Sequence, residues 1–151
     1  MSDDNVQPEV AWPSQGKVSF NQISLRYRPT TDLVLKNISF DIEPGMKVGI
    51  VGRTGSGKST IAMTLSRILE LESGSIQIDG INIRDLALHN LRSKVTMIPQ
   101  DPCLFKGTLK YNIDPTGQVP DSTIEALVEK AGLPDLLKSF DSDKNILDYE
   151  V

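Results

Sequence analysis

The glycine-rich loop at residues 52–59 places the tightest limits on how this chain can fold. It reads Gly-Arg-Thr-Gly-Ser-Gly-Lys-Ser, so three glycines stand close together and a lysine and a serine follow directly. Residues 46–51 before it are mostly apolar, and from Ile61 to Leu69 apolar side chains recur at the 3.6-residue period of a helix. The sequence therefore predicts a buried strand, a tight turn and a helix in that order, which is half of a parallel βαβ unit.

This loop matches the P-loop pattern G-x-x-x-x-G-K-[ST] at every fixed position. Glycines let the backbone curl so that successive N–H groups face one anion, and the first turn of the next helix adds its unpaired N–H groups. Lys58 is expected to reach the β and γ phosphates of a nucleotide, and the Ser59 hydroxyl to ligate Mg²⁺. The residues expected to hold the phosphates are Gly52, Thr54, Gly55, Ser56, Gly57, Lys58, Ser59 and Thr60. Kinases, GTPases and transport ATPases share such a loop, so it does not choose the reaction.

Strand patterns precede and follow the glycine-rich loop. Alternating apolar residues from Val18 to Tyr27 slip by one position at Asn21–Gln22, which predicts a strand with a bulge or turn. A second alternating run at 38–42 predicts an antiparallel partner at the front of the domain. Asp79–Gly80 between two further short runs is typical of a hairpin turn. Residues 95–98 predict another short strand that is buried on both faces.

The last third of the chain predicts a helix. Ser122 and Glu125 have the spacing of a capping box, and Gly132 followed by Pro134 is typical of a helix end. The only histidine, His89, lies in a polar segment and is expected to be a surface or packing residue.

Composition excludes several classes of protein. The 151 residues carry a formal net charge of −4, which disfavours a nucleic-acid partner because affinity for phosphate backbones comes from clustered cations. No apolar run nears the roughly 18 residues that a membrane-spanning helix needs, so direct membrane insertion is not expected. The single cysteine, Cys103, fits a reducing compartment such as the cytosol. Residues 1–16 are polar and contain prolines, which predicts a linker before one domain at 17–151.

Several further segments share the pattern of one protein family. They are Trp-Pro-Ser at 12–14, Leu-Arg-Tyr-Arg at 25–28, Val-Leu-Lys-Asn-Ile-Ser-Phe at 34–40, Leu-Arg-Ser-Lys at 91–94, Ile-Pro-Gln-Asp-Pro at 98–102 followed by Leu-Phe at 104–105, and Asn-Ile-Asp-Pro at 112–115. Together with the glycine-rich loop they resemble the N-terminal part of an ABC transporter nucleotide-binding domain. The segments at 12–14, 91–94 and 112–115 resemble the second such domain of the C, or multidrug-resistance-associated, subfamily.

The resemblance implies an α/β fold, with a P-loop NTPase core and an N-terminal antiparallel β subdomain. It implies that Tyr27 stacks on adenine and that Gln100 helps to hold Mg²⁺ or the attacking water, so Lys58 and Gln100 would be the catalytic residues of this segment. Phe105 would line the face that meets the transmembrane part. The implied ligands are ATP and Mg²⁺, and the implied partners are a second nucleotide-binding domain and the transmembrane domains of an exporter. The domain would lie at the cytosolic face of a membrane.

Two parts of the family's machinery are not found in the sequence. There is no Leu-Ser-Gly-Gly-Gln-like signature, and no apolar strand ends in Asp-Glu; Ile76–Asp79 continues into a hairpin turn, and Ile146–Glu150 is too short. We therefore expect a partial domain that stops before the signature motif, exposes a parallel sheet edge, and binds ATP without useful turnover.

Three other interpretations remain open at this stage. The chain could be a truncated ATP-binding module or an inactive remnant without transport activity. It could be a soluble ABC protein acting in translation or repair, although the 12–13 and 101–105 segments count against that class. A GTPase or kinase is the third, but the Asn-Lys-x-Asp motif for guanine has only a poor match at 143–145.

Overall fold

The computed structural model describes residue 8 and residues 11–101, 103–133 and 145–151 of the 151. The chain divides into two compact units, Met1–Ile98 and Pro99–Val151, and each is presented by itself. In the described ranges, no helix is both long enough and apolar enough to cross a membrane.

An antiparallel sheet of four strands forms the centre of the first unit. The strands are β1 at Val18–Leu25, β2 at Leu35–Ile42, β3 at Ser73–Ile78 and β4 at Ile81–Asn82. Their order is β2-β1-β3-β4, and every pair is antiparallel. The register of β1 shifts after Phe20, and Gln22 has a positive φ of 47°. The predicted antiparallel sheet and its irregularity at Asn21–Gln22 are therefore confirmed.

Alternating side chains of these strands build the core of the first unit. Phe20 stacks on Phe40 across the β1–β2 pair, with ring centroids 4.3 Å apart and an interplanar angle of 15°. Aromatic pairs of this kind add to the stabilisation from burying apolar surface. The buried residues of this cluster are Trp12, Phe20, Ile23, Leu25, Leu35, Leu71, Ile76, Ile78, Ile83, Leu86 and Leu91.

The β3–β4 hairpin turns at Asp79–Gly80, as predicted, with positive φ values of 49° and 79°. The Asp79 carboxylate also accepts the backbone N–H groups of residues 14–17, at 2.8, 2.9, 3.1 and 2.8 Å in chain order. Trp12 is buried and donates its indole N–H to the Ile78 carbonyl at 3.1 Å. The described part of the segment before β1 is thus packed against the sheet.

Two helices complete the first unit, α1 at Lys58–Leu65 and α2 at Leu88–Arg92, with a 3-10 turn at Ile83–Asp85 before α2. The chain leaves α1 earlier than the apolar period predicts, because Arg67 adopts a left-handed φ of 50°. Arg92 donates to the carbonyls of Ser66 and Arg67 at 3.2 and 3.0 Å, just beyond the end of α1. A cation there satisfies late carbonyls and favours the helix dipole. Ile68 is consequently exposed instead of facing the core.

The strands predicted at 46–51 and 95–98 are not formed. Both segments lack regular secondary structure, and Val51 and Ile98 are 97% and 90% exposed. A β-strand is stabilised by hydrogen bonds to a neighbouring strand, and no segment among the described residues pairs with either run. The α/β class with an N-terminal antiparallel sheet is confirmed, but these two apolar runs are not buried as predicted.

The second unit contains α3 at Leu109–Ile113, α4 at Asp121–Lys130 and a 3-10 turn at Ile146–Asp148. Thr108 caps α3 by accepting the Tyr111 N–H at 3.1 Å. Buried Ile124 and Val128 of α4 pack with Leu147. Within this unit the Thr116 hydroxyl and the Val119 N–H both bond Asp114 at 2.7 Å, and these bonds hold the pKa of its carboxyl below the ordinary value.

The predicted start of the last helix is wrong, and its end is confirmed. Pro120 precedes the first turn of α4 with no side-chain cap, so Ser122 lies inside the helix and the capping box with Glu125 does not form. Proline fixes φ before a helix, which gives this end a defined geometry without a cap. Gly132 follows the helix with a φ of 74°, as expected, and Pro134 lies outside the described residues.

Candidate nucleotide-binding site

The glycine-rich loop leads directly into the N-terminus of α1. Gly57 precedes the helix in the left-handed conformation, with φ 89° and ψ 9°. Among the described residues, no side chain caps the first turn of α1, and that turn contains no acidic residue. The first N–H groups of a helix have no partner within it and carry partial positive charge. This end of α1 therefore has the chemistry of an anion-binding site.

Lys58 folds back across the glycine-rich loop. Its Nζ donates to the carbonyl oxygens of Gly52 and Arg53, at 2.7 and 2.8 Å. The loop is closed upon itself by the Ser56 N–H, which donates to the same Arg53 carbonyl at 3.1 Å. An ammonium group has three donors, so one remains for a phosphate oxygen after the two carbonyls are bound. Lys58 thus brings a positive charge to the loop and is half-buried there.

Leu35, the first residue of β2, and Val34 before it form a wall behind the loop. A Cβ atom added at Gly57 would lie 3.1 Å from Leu35 Cδ2 and 3.4 Å from Val34 Cγ1. Leu35 is fully buried in the core of the first unit, so the loop is held against a rigid part of the fold. This support was not predicted, because Leu35 and Gly57 are more than twenty positions apart and no sequence pattern links them.

Tyr27 reaches the first turn of α1. Its hydroxyl is 2.7 Å from Oγ1 of Thr60, and either oxygen can be the donor. Thr60 is 2% exposed, whereas the Tyr27 side chain is 54% exposed. The two residues were both predicted to contact nucleotide, Tyr27 through its ring and Thr60 through its backbone, but the bond between them was not predicted.

An open cavity of about 520 Å³ borders Tyr27. Its lining includes Arg26 and Glu72, which form a two-point ion pair with nitrogen–oxygen distances of 2.5 and 3.0 Å. Arg26 also donates to the Thr31 carbonyl at 3.1 Å. These bonds fix the backbone around Tyr27 and leave free space beside its ring.

The remaining predicted residues divide between the two units. In the first unit Gly52, Thr54, Gly55, Ser56 and Ser59 are exposed, so their polar groups can be reached from solvent. Gln100 belongs to the second unit and is exposed at its start. Its predicted role, like the roles of the loop residues, stays a prediction.

Phe105 is 60% exposed in the second unit, on a backbone that Asn112 fixes. The Phe105 N–H donates to Asn112 Oδ1 at 2.7 Å, and Asn112 Nδ2 donates to the Phe105 carbonyl at 2.8 Å. The exposed ring is therefore presented by a rigid loop. This local order explains why an asparagine stands at position 112.

Comparison with known proteins places the chain in a family. The sequence profile described as ABC transporter matches residues 35–146. The chain is 49% identical over 133 residues to ATP-binding cassette sub-family C member 3 of Homo sapiens, which covers 88% of the chain. It is 48% identical over 133 residues to sub-family C member 2 of Homo sapiens, again covering 88% of the chain. It is 47% identical over 137 residues to the metal resistance protein YCF1 of Saccharomyces cerevisiae, covering 91%.

Each of these matches spans only 9% of the relative's own length. The match nevertheless includes the glycine-rich loop, α1 and the sheet strands β2, β3 and β4. The profile covers well over half of the chain, and the two human relatives are both named as members of sub-family C. The chain belongs to the ABC transporter family, and its sequence relatives include members of sub-family C.

Proposed function

We propose that this chain is the ATP-binding part of a nucleotide-binding domain in an ABC exporter of the C subfamily. The observation that carries the proposal is the glycine-rich loop, where an uncapped helix N-terminus and the Lys58 ammonium meet. Positive partial charge, a full positive charge and exposed backbone donors are the groups that bind polyphosphate. The family membership supports ATP as the nucleotide.

In this proposal each residue of the site has one task. The backbone N–H groups from Gly55 to Thr60 bind the phosphate oxygens, and Lys58 neutralises the charge on the β and γ phosphates. Tyr27 offers an exposed ring on which adenine stacks. Phosphoryl transfer depends mainly on positioning and charge stabilisation, so a rigid cradle of this kind is what the reaction requires.

The exposed Ser59 hydroxyl fits Mg²⁺, because it is a hard oxygen donor beside the phosphate cradle. Within the described ranges no group of three or more His, Cys, Asp or Glu side chains could hold a metal ion. This fits a metal that takes most of its ligands from phosphate and water. Gln100 is proposed as a second protein ligand. When bound, Mg²⁺ supplies further neutralisation of phosphate charge.

In the whole protein, ATP hydrolysis would drive export across a membrane, with the domain at the cytosolic face. The proposed partners are a second nucleotide-binding domain and the transmembrane domains. The exposed Leu104 and Phe105 of the second unit support a contact with the transmembrane domains. The segments at 12–14, 91–94 and 112–115 support a second nucleotide-binding domain as the source of this chain.

We expect the chain alone to bind ATP without useful turnover. Its sequence offers no apolar strand that ends in Asp-Glu and no Leu-Ser-Gly-Gly-Gln-like segment. Lys58 and the loop can hold the phosphates, but neither supplies a base that would polarise water. Gln100 alone has no negative charge with which to accept a proton.

The experiment is a calorimetric titration of the purified chain with MgATP. We compare the wild type with Lys58→Ala and Tyr27→Ala, and use Lys36→Ala as the matched control, since Lys36 is an exposed lysine on β2. Lys58→Ala should weaken binding at least about tenfold, because it removes charged hydrogen bonds. Tyr27→Ala should weaken it by about fivefold or more, the usual loss on removing an aromatic stacking partner. Lys36→Ala should bind like the wild type.

Phosphate release from the same samples should stay at background. Turnover that persists through purification and vanishes with Lys58→Ala would contradict the expected absence of hydrolysis. A wild type that has the circular dichroism of a folded protein but does not bind MgATP would contradict the proposed function itself.

A further inference from the structure

The side chain of Tyr27 is held at its tip, while more than half of the residue is exposed. Tyr27 lies two positions beyond the end of β1, and 54% of it is exposed. It is followed by a turn in which Thr31 donates its N–H and its hydroxyl to the Arg28 carbonyl, at 3.0 and 2.9 Å. That turn does not fix the side-chain torsions of Tyr27. The 2.7 Å bond from its hydroxyl to Thr60 does.

Thr60 is well suited to hold another side chain in place. It is 2% exposed and lies in the first turn of α1, directly after Ser59. A threonine inside a helix has two main χ1 rotamers, and the burial of Thr60 restricts the position of its Oγ1 further. The contact bridges 33 positions in the sequence, and so ties the segment after β1 to the helix that follows the glycine-rich loop.

We propose that Thr60 is a positioning residue for base recognition: its hydroxyl holds the Tyr27 ring in the orientation in which a nucleobase stacks on it. The inference rests on the proposed nucleotide site and adds a side-chain role for Thr60 to the backbone role given above. An exposed aromatic side chain without such a bond samples several rotamers and must be immobilised when the base binds. The bond removes that cost before the ligand arrives.

The inference predicts where the bond matters. Removing either hydroxyl leaves the ring, the loop backbone and Lys58 in place, and comparing MgATP with polyphosphate separates base recognition from any change at the phosphate site. The additional affinity that a base confers should fall by about two- to tenfold, the usual cost of immobilising one side chain. Because both hydroxyls form one bond, removing both should reduce the affinity added by the base no more than removing one.

The experiment measures the dissociation constants of MgATP and of magnesium tripolyphosphate for the full chain by calorimetry. The base increment is the dissociation constant of magnesium tripolyphosphate divided by that of MgATP. The variants are Tyr27→Phe, Thr60→Val and the double variant. Thr64→Val is the matched control on α1, since Thr64 is 1% exposed and its hydroxyl donates to the Ile61 carbonyl at 2.7 Å. Tyr111→Phe is the control for an exposed tyrosine in the second unit.

We expect Tyr27→Phe and Thr60→Val to lower the base increment equally, the double variant to match them, and both controls to keep the wild-type value. Unchanged increments in the single variants, or losses that multiply in the double variant, would overturn the positioning role while leaving the proposed function intact. A wild type that binds tripolyphosphate as tightly as ATP would overturn the role of Tyr27 in base binding. A folded wild type that binds neither ligand would overturn the proposed function, and the inference with it.

A measurement without nucleotide separates positioning from general damage to the fold. The chain has three tyrosines, so incorporation of 3-fluorotyrosine gives three ¹⁹F resonances that Tyr→Phe variants assign. Thr60→Val should shift and narrow the Tyr27 resonance towards that of a freely rotating ring, and Thr64→Val should not. A Tyr27 resonance that is the same in wild type and Thr60→Val would contradict the inference.

Discussion

At the scale of single residues, Asp79 shows how one carboxylate orders a distant stretch of backbone. Its two oxygens accept four N–H groups from residues 14–17. Burial opposes ionisation, but the four hydrogen bonds outweigh it and lower the pKa of Asp79 below its ordinary value of 3.8. A lowered pKa means that the folded state favours the charged form. The stabilisation is therefore complete above the unfolded pKa and is lost as the pH falls through the folded one.

Asp79→Asn tests this linkage. At pH 7 the variant should be less stable by about 1 kcal/mol, a modest value because the carboxylate is partly open to water. The difference from wild type should begin to shrink as the pH falls below about 4, because the carboxylate is then protonated in the unfolded state, and it should be smallest below the lowered pKa of the folded state. Urea unfolding followed by circular dichroism at both pH values gives the two free energies. Asp85→Asn, at an exposed position in the same unit, is the control. An equal difference at both pH values would contradict the linkage.

Only one of the two roles of Asp79 can be predicted from sequence. The Asp-Gly pair predicts the hairpin turn, because both residues tolerate positive φ and are adjacent in the chain. The contact with residues 14–17 joins positions more than sixty apart. It depends on where the sheet places the two segments, which no local pattern encodes. The bond between Tyr27 and Thr60 was not predictable for the same reason.

At the scale of elements, the β1 irregularity is matched by a glycine in β3. Gly74 has a φ of 84°, and a Cβ atom there would lie 2.5 Å from the Asn21 carbonyl oxygen and still closer to that of Gln22. The backbone of β1 bulges at these two residues, where Gln22 has a positive φ. The bulge therefore occupies the space that a side chain at position 74 would need.

Gly74→Ala should destabilise the chain by about 2–4 kcal/mol, from the strained φ together with a clash against backbone that cannot turn aside. Gly80→Ala is the control, because Gly80 has a similar φ of 79° with nothing within 4 Å of the added Cβ. That variant should cost only about 1 kcal/mol. Thermal unfolding of both variants measures the difference. Equal costs would show that the bulge yields to the new methyl group.

Strands were predicted well where their own alternation defined a buried face. In β1 and β2 the more buried side chains alternate with exposed ones, apart from one irregular step in each strand, so the pattern by itself specifies which face is covered. Residues 46–51 and 95–98 are mostly apolar and do not alternate, and such a run indicates only that both faces of the segment need to be covered. Which segments pack against these two faces depends on the tertiary structure. The residues of the glycine-rich loop can be predicted as a group because their spacing is local, and their roles in binding nucleotide stay predictions.

At the scale of the whole molecule, these two runs leave apolar side chains in water. Among the described residues of the first unit, Val51 and Ile98 are the most exposed large apolar residues, and Val48 and Ile50 are 48% and 45% exposed. Exposed apolar backbone without strand partners favours association between copies of a chain. The net charge of −4 opposes close approach only weakly at physiological salt.

We therefore expect the chain to self-associate with rising concentration in sedimentation velocity. The double variant Val51→Ser, Ile98→Lys should associate less, with a change in unfolding free energy within about 0.5 kcal/mol, because both side chains are already exposed. Leu127→Lys is the control, as Leu127 is a single exposed apolar residue on α4. If the wild type and the double variant associated equally, the exposed apolar runs at 46–51 and 95–98 would not be the cause of the association.

The buried indole of Trp12 gives the molecule an intrinsic optical reporter. It is the only tryptophan in the chain, and it is bonded to the Ile78 carbonyl in the core of the first unit. The fluorescence emission of Trp12 should move to longer wavelength when that core becomes hydrated, whether α3 and α4 are folded or unfolded. Circular dichroism averages over both units. If thermal unfolding followed by Trp12 fluorescence and by circular dichroism had different midpoints, the two units would unfold as separate cooperative bodies. The measurement needs no added label.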